Sequence, residues 1–251
     1  MKAAIQFVLQ KLMGYKMYLF VFAIFSVYRF RLTKYDKEFA FFLRLIPQFN
    51  GNIVLDIGAN IGVTSTLIGA SFPQYSVWAF EPVQLNMDTL EKVNHYFEIK
   101  NVRMIQKAVG EKSGEIEIHT PIQKGVKKQG LSYIIENGSQ KIDSQIKELA
   151  KMVSLDTLIE QFSKEKVAAI KMDVENYELF VLQGGTQFIQ RHRPLIFAEL
   201  WENVRKLPCI ELMEGLGYIT YVLQGNKLVD YKGNIALNYF FIPHEVSLNI
   251  K

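Results

Sequence analysis

The segment Val54–Gly62, which reads Val-Leu-Asp-Ile-Gly-Ala-Asn-Ile-Gly, constrains the fold of this chain more than any other part of its sequence. An apolar run leads into a glycine-containing turn, and a helix is predicted to begin straight after it. Gly58 and Gly62 let a ligand approach the backbone without a clash against a Cβ atom. The free N–H groups at the start of the helix can bind that ligand. The segment therefore predicts a binding site at a strand–turn–helix junction.

The spacing of the glycines and one acidic residue indicate the kind of ligand. A dinucleotide-binding motif has the pattern G-x-G-x-x-G and holds a pyrophosphate over the start of the helix. Here the pattern is G-x-x-x-G, and Asp56 lies two residues before the first glycine. A negative Asp56 would repel a pyrophosphate but would suit the ammonium of an amino-acid moiety, which favours S-adenosylmethionine over NAD. Asn60 either binds this cofactor or only stabilises the turn, and an ordinary tight turn is the alternative for the whole segment.

Two further positions fit the same cofactor. Glu81 ends the next predicted strand, 23 residues after Gly58. A carboxylate there can accept hydrogen bonds from both ribose hydroxyls, as the acid about 20 residues beyond a Rossmann glycine turn does. Taken alone, Glu81 could equally be a solvated acid at a strand end. We expect the backbone at Ala108, where the third strand ends, to border the adenine.

Short apolar runs alternate with helical stretches from Asn52 onward. The predicted strands of the central sheet are Ile53–Ile57, Ser76–Phe80, Val102–Ala108, Val167–Met172 and Pro194–Leu200. The predicted helices between them are Val63–Phe72, Gln84–Phe97 and Tyr177–Gln183. Three antiparallel strands are predicted to close one edge: Ile219–Leu223, Lys227–Tyr231 and Leu237–Ile242. Such alternation is typical of a Rossmann-like α/β fold with a doubly wound, mainly parallel sheet.

Two additions flank and interrupt this pattern. Residues 1–50 precede the first strand and are predicted to form a helical N-terminal arm. Residues 51–251 then form the catalytic domain, with an insertion at about 115–153 that starts with a strand-like run. An insertion of this size is either a lid or wall facing the substrate, or a surface loop.

The charge of the chain is concentrated in the N-terminal arm. Residues 1–35 hold six cations and no acid, whereas the whole chain has a net charge of +4, so the remainder is net −2. A slightly acidic body argues against nucleic acid as a partner. The apolar run Met17–Tyr28 is shorter than the roughly 20 residues that a membrane-spanning helix needs. The arm therefore either lies on a membrane surface, with its cations facing anionic lipid, or packs over the catalytic domain.

A single cysteine, Cys209, excludes an intramolecular disulfide bond. It is compatible with a reducing compartment and predicts a cytoplasmic location, with the inner face of a membrane as the alternative suggested by the arm.

A second group of charged residues follows the strand Val167–Met172. The run Lys171-Met-Asp173-Val-Glu175-Asn-Tyr-Glu178 lies where an apolar strand ends and a helix begins. In an open α/β sheet this edge is the ligand crevice. Lys171 and Asp173 point to the same face of the strand, so they are candidates for acid–base chemistry, with a structural ion pair to Asp173 or Glu199 as the alternative for Lys171.

These motifs together resemble the FkbM family of methyltransferases. The resemblance rests on Asp56-Ile-Gly-Ala-Asn-Ile-Gly62, Phe80-Glu-Pro82, Ser154-Leu-Asp-Thr-Leu158, the Lys171–Glu178 run and Arg193-Pro194 followed by Glu199, and covers residues 50–205. It implies an S-adenosylmethionine-dependent enzyme that methylates hydroxyl groups of sugars, glycans or secondary metabolites. Asn176 departs from the glycine usual in the family, but Asn tolerates a left-handed backbone better than most residues do.

Methyl transfer to a hydroxyl needs alignment of the two reactants and removal of the hydroxyl proton. We expect Asp173 or Glu175 to be the base, with Lys171 and Glu199 in support. No metal ligand is predicted; the alternative is a Mg²⁺ ion shared by Asp173, Glu199 and Glu202. The expected acceptor is a small molecule or glycan. The alternative function is a catalytically degenerate methyltransferase fold that binds at a membrane surface.

Overall fold

The computed structural model describes residues 9–123, 126–127, 133–134, 145–162 and 164–248. Its central sheet has eight strands: β1 (Ile53–Ile57), β2 (Ser76–Phe80), β3 (Val102–Ile105), β9 (Val167–Met172), β10 (Leu195–Glu199), β11 (Tyr218–Gln224), β12 (Lys227–Asp230) and β13 (Asn238–Pro243). Their order across the sheet is β12-β11-β13-β10-β9-β1-β2-β3. The first five of these pair with one another in parallel. The last three pair antiparallel with one another and join the parallel strands through the antiparallel pair of β13 and β10. The predicted doubly wound, mainly parallel α/β fold is confirmed.

Helices cover both faces of this sheet, and the apolar side chains of the strands explain why. Every residue of β1 and β9 is buried, as expected for parallel strands with no solvated face. The helices are α1 (Tyr15–Thr33), α2 (Lys37–Leu45), α3 (Val63–Ser71), α4 (Gln84–Tyr96), α5 (Glu178–Gln183), α6 (Thr186–His192) and α7 (Lys206–Gly215). Residues of α2 and α3 contribute to the core on one face, and residues of α5, α6 and α7 to the core on the other.

A second, smaller sheet stands beside the central one. It contains β4 (Ala108–Val109), β5 (Gly114–Gln123), β6 (Val126–Lys127), β7 (Tyr133–Ile134) and β8 (Gln145–Val153). The two long strands β5 and β8 pair antiparallel over eight positions. The described ends of the predicted insertion are therefore part of a sheet, and its residues 124–125, 128–132 and 135–144 lie outside the described part.

The predicted strand Val102–Ala108 is wrong in its extent. The central-sheet strand ends at Ile105, where a turn follows in which the Lys107 N–H donates to the Ile105 carbonyl at 2.8 Å. Ala108 then joins the second sheet by pairing with Met152. The polar residues Gln106 and Lys107 form the turn that separates the two strands.

The described part of the N-terminal arm packs against the domain. In α1 the buried side chains Tyr18, Leu19 and Ala23 contact Ile61, in the glycine turn, and Val93. The next helix, α2, begins where the Asp36 carboxylate accepts a hydrogen bond from the Phe39 N–H, and its aromatic residues pack against the sheet at Phe197. No helix within the described ranges is long and apolar enough to cross a bilayer.

Candidate active site

The predicted site residues meet at the carboxyl edge of the parallel strands. Asp56 lies near the end of β1, Glu81 follows β2, the Lys171–Glu178 run spans the end of β9, and Glu199 ends β10. These four strands are adjacent in the sheet. Parallel strands expose their carboxyl ends at one edge, so residues far apart in sequence become neighbours there.

The glycine turn after β1 has a left-handed backbone at three of its residues. Gly58, Asn60 and Gly62 all have positive φ angles, of 78°, 50° and 87°. A Cβ atom on Gly58 would overlap the carbonyl oxygen of Asp173, and one on Gly62 would lie 2.6 Å from Leu90 Cγ. The glycines are therefore required by close packing of the turn against β9 and α4 as well as by its backbone angles.

Asp56 connects β1 to the helix that follows the glycine turn. Its side chain is fully buried, and Oδ2 accepts hydrogen bonds from the hydroxyls of Thr64, at 2.7 Å, and Ser65, at 2.5 Å. These hydroxyls belong to the first turn of α3, so the carboxylate fixes the start of the helix relative to β1. Sequence reasoning did not single out Thr64 or Ser65, although both lie at the start of a helix that follows an acid.

Lys171 pairs with Asp56 across the two central strands. Its Nζ lies 3.4 Å from Asp56 Oδ1 and 3.7 Å from Asp173 Oδ2, and it donates to the Gly58 carbonyl at 3.1 Å. Burial alone would lower the pKa of Lys171, but the charges of Asp56 and Asp173 outweigh it and raise the pKa above its ordinary value. Lys171 is therefore a buried cation that joins the glycine turn to residues 173–177 after β9, which we name the reaction loop after the candidate bases that it carries.

Glu81 is held rigidly by three donors. Its Oε2 accepts from the Asn60 N–H at 3.0 Å, and its Oε1 accepts from the Val83 N–H at 2.9 Å and from Asn86 Nδ2 at 3.0 Å. The side chain is almost fully buried, and this burial raises the pKa of Glu81 to about 7 despite the hydrogen bonds. The backbone N–H of Asn60 thus orients Glu81, a role that the sequence alone did not distinguish from cofactor binding.

Four carboxylates cluster after β9 and β10: Asp173, Glu175, Glu178 and Glu199. Burial, followed by repulsion from Asp173, Glu199 and Glu178, raises the pKa of Glu175 to about 8. Burial raises the pKa of Glu178 to about 7, although its Oε1 accepts from the Val174 N–H at 3.0 Å. Burial and the charge of Asp173 also raise the pKa of Glu199. Groups with such pKa values can exchange a proton near neutral pH.

The loop that carries Glu175 has a left-handed backbone, and the loop after β10 holds it. Glu175 and Asn176 have φ angles of 52° and 71°, so Asn176 adopts a left-handed conformation that glycine adopts most readily. Asn203 Nδ2 donates to Asn176 Oδ1 at 2.5 Å, and Arg205 Nη1 donates to the Asn176 carbonyl at 2.7 Å. The side chain of Asn176 is thus used in a contact that glycine could not make.

Trp201 lies beside the candidate site, and the sequence analysis did not single it out. Its indole Nε1 donates to Glu199 Oε1 at 3.0 Å, and its side chain is exposed beside the carboxylate cluster. The sequence did contain a feature that could have indicated Trp201: it is an aromatic residue two positions after the acid at the end of a predicted strand. An exposed ring next to the reaction loop is suited to stacking against an acceptor.

Ala108 lies in the second sheet, and not at the end of a central-sheet strand as was predicted. It is buried in β4, and Gly110 follows two residues later. A Cβ atom on Gly110 would lie 2.8 Å from Tyr177 Cε1, so this segment borders the reaction loop.

Within the described ranges no three His, Cys, Asp or Glu side chains are arranged to hold a metal ion. Glu202, part of the alternative Mg²⁺ set, instead binds Lys206 Nζ with both carboxylate oxygens, at 2.7 and 2.8 Å.

The raised pKa values predict how stability depends on pH. Glu81, Glu175 and Glu178 hold their protons more tightly in the folded protein than in the unfolded chain, with pKa values of about 7, 8 and 7. The folded state therefore binds more protons between pH 6.5 and 8, and the free energy of unfolding of the cofactor-free protein should decrease as pH rises through this range. His192, whose pKa burial lowers to about 4, acts in the opposite direction only below about pH 6.5.

Urea denaturation at several pH values checks this expectation. The free energy of unfolding should decrease less steeply between pH 6.5 and 8 in the Glu175→Gln variant, because the variant lacks one of the three carboxyl groups with a raised pKa. Constant or increasing wild-type stability over this range would contradict it.

Comparison with known proteins agrees with this geometry. The family model described as the methyltransferase FkbM domain matches residues 56–219. Hexuronic acid methyltransferase AglP of Haloferax volcanii is 25% identical over 182 residues, covering 72% of this chain and 69% of that protein. Methyltransferase sdnD of Sordaria araneosa is 26% identical over 193 residues, covering 66% of this chain and 73% of that protein.

A solved structure supports the fold. The crystal structure of methyltransferase FkbM from Methylobacillus flagellatus KT superposes with a TM-score of 0.50 and 18% identity. The match covers 76% of this chain but only 43% of that longer chain, so this protein spans less than half of its length. The family match extends from Asp56, near the end of β1, to Ile219 and covers well over half of the sequence. The chain therefore belongs to the FkbM methyltransferase family.

Proposed function

We propose that this protein transfers a methyl group from S-adenosylmethionine to a hydroxyl group of a sugar, and that a hexuronic acid is the first acceptor to test. The observation that carries the proposal is the meeting of Glu81, the glycine turn and the carboxylate cluster at one edge of the sheet. We choose a sugar hydroxyl as the acceptor because one relative, 25% identical to this chain, is a hexuronic acid methyltransferase.

The residues of the turn fit the proposed cofactor. Gly58 and Gly62 let the turn pack closely against Asp173 and Leu90. The N-cap residue of α3 is Gly62, which makes no side-chain hydrogen bond to the first N–H groups of the helix, so these groups can donate to a ligand. Glu81 is already oriented by three hydrogen bonds, so its remaining lone pairs can accept from ribose hydroxyls without further ordering of the side chain. We expect Asp56 to act on the aminoacyl end through the turn that it anchors, because its own carboxylate is fully buried.

The bound cofactor supplies an electrophilic methyl group on a sulfonium sulfur. In the reaction the acceptor oxygen forms a bond to this methyl carbon, the carbon–sulfur bond breaks with its electron pair going to sulfur, and the hydroxyl proton passes to a carboxylate of the protein. Glu175 is our first candidate for that base and Asp173 the second, because they lie on the reaction loop beside Lys171. Glu199, held by Trp201, adds to the negative field that favours proton uptake.

Isothermal titration calorimetry with S-adenosylmethionine tests the cofactor, and a Glu81→Gln variant tests its proposed ribose contact. The amide keeps the size of the side chain but removes its charge, and a charge-assisted hydrogen bond contributes about 1.5–3 kcal/mol. We expect affinity to fall at least about tenfold. Glu91→Gln, the same change at an exposed position on α4, should leave affinity unchanged. Equal affinities of wild type and Glu81→Gln would exclude this role for Glu81.

The acceptor is tested by incubating the protein with S-adenosylmethionine and separate hexuronic acids, neutral hexoses and glycans that contain hexuronic acid. Formation of S-adenosylhomocysteine and of a product heavier by one methylene unit would support the proposal. Binding of the cofactor without methylation of any sugar in the panel would contradict sugar as the acceptor, while the cofactor assignment would stand.

A further inference from the structure

Helix α1 is apolar on two sides, although only one side faces the domain. The side chains that pack inward include Leu19, Ala23 and Val27. On the outer side a second apolar row, which we name the exposed stripe, is formed by Met17, Val21, Phe22, Phe25, Tyr28 and Leu32. The members of the stripe have exposed fractions from 44% to 82%. Most follow one another at intervals of three or four residues, so they form a continuous row along the helix.

This stripe is long for an uncovered apolar surface. Helix α1 has 19 residues and is therefore about 28 Å long at 1.5 Å per residue. Leu12, at 79% exposure, extends the apolar surface into the helical stretch at residues 9–13. Contiguous exposed apolar surface of this kind marks a site of interaction with a partner or a membrane.

Cations lie at both ends of the exposed stripe. At its start an open groove of about 500 Å³ is lined by Met13, Met17 and Phe20 together with Lys16 and Lys92. At its end a groove of about 610 Å³ is lined by Lys34, Lys37 and Arg44 together with Phe41 and Phe72. Each groove therefore combines apolar walls with positive charge, which matches the chemistry of an anionic lipid: a negative headgroup joined to acyl chains.

The charges also distinguish a lipid surface from a second copy of the chain. Residues 1–35 contain six cations and no acid. In a symmetric dimer the same surface meets itself, so two such arms would face each other with like charges. An anionic bilayer offers the opposite charge at the surface and apolar material beneath it.

We propose that the exposed stripe and its two flanking grooves dock this protein onto the surface of an anionic phospholipid bilayer. In this arrangement α1 lies parallel to the membrane, with the stripe at the boundary of headgroups and acyl chains. The groove residues Lys16, Lys92 and Lys37 would then lie near the phosphates. The inner side of α1 contacts Ile61 in the glycine turn, so the membrane would lie near the turn that we assign to cofactor binding.

The test is cosedimentation of the full chain with vesicles. We expect binding to vesicles that contain phosphatidylglycerol and phosphatidylcholine, at least about tenfold weaker binding to phosphatidylcholine alone, and weakening by salt. Phe25→Glu, at 59% exposure, places a negative charge in the stripe and should reduce binding at least about tenfold. Ile235→Glu is the matched control, since it makes the same kind of change at a 99% exposed site outside the arm.

Thermal unfolding should show that both variants remain folded. Failure of the wild type to bind phosphatidylglycerol vesicles, or equal binding of Phe25→Glu and wild type, would overturn the proposal. So would sedimentation velocity showing a dimer that Phe25→Glu dissociates, because the stripe would then join two copies. Vesicle binding does not require cofactor or acceptor, so these results are independent of the proposed methyl transfer.

Discussion

Replacing Lys171 with methionine is expected to lower the free energy of unfolding by about 3–5 kcal/mol, which is the usual effect of removing one partner of a buried ion pair. Lys171 Nζ lies 3.4 Å from the fully buried Asp56 carboxylate. Methionine fills a similar volume but leaves this negative charge without compensation. The affinity for S-adenosylmethionine should fall as well, because the lost Lys171 contact to the Gly58 carbonyl loosens the turn.

Urea denaturation of a small set of variants separates this effect from a general effect of the substitution. Lys100→Met makes the same change at an exposed position and should alter stability by less than about 0.5 kcal/mol. The double variant Asp56→Asn/Lys171→Met removes both charges and should recover part of the loss. A Lys171→Met variant as stable as the wild type would show that the pair does not stabilise the fold.

The second large effect concerns the reaction itself. Glu175→Gln should lower the rate of methyl transfer by about 10²–10⁴-fold, the usual contribution of a general base, with little change in affinity for S-adenosylmethionine. The pKa of Glu175, about 8, further predicts that the wild-type rate rises with pH and levels off above about pH 8. Asp173→Asn tests the other candidate, and the larger rate loss identifies the base.

Single-turnover formation of S-adenosylhomocysteine, with the acceptor found in the sugar panel, measures these rates. Glu165→Gln is the control, since it changes an exposed acid away from the reaction loop and should leave the rate unchanged. If both Asp173→Asn and Glu175→Gln retained nearly wild-type rates, the proton acceptor would have to be another group.

The local motifs of the site could be predicted because their requirements are local. A strand that ends at a glycine turn and a following helix is specified by neighbouring residues, and the positive φ angles of Gly58 and Gly62 agree with that expectation. The same holds for Asn176, whose left-handed backbone follows from its side chain and its position in a tight loop.

The extent of the third strand could not be predicted in this way. Val102–Ala108 was predicted as one strand, but its residues are divided between two sheets. Apolar periodicity indicates that a residue is buried in a strand, and it does not specify which strand will be its neighbour.

The sequence by itself determined the family, the parallel α/β fold and the positions of the acids at strand ends, because each of these depends on short motifs and on hydrophobic runs. Only the tertiary structure decided which charges meet. Asp56 and Lys171 are 115 residues apart in sequence, yet they are direct partners in the register of β1 and β9. The tertiary structure also determined which residues of α1 form the exposed stripe. A helix that is apolar all round acquires an inner and an outer side only when it packs against the domain.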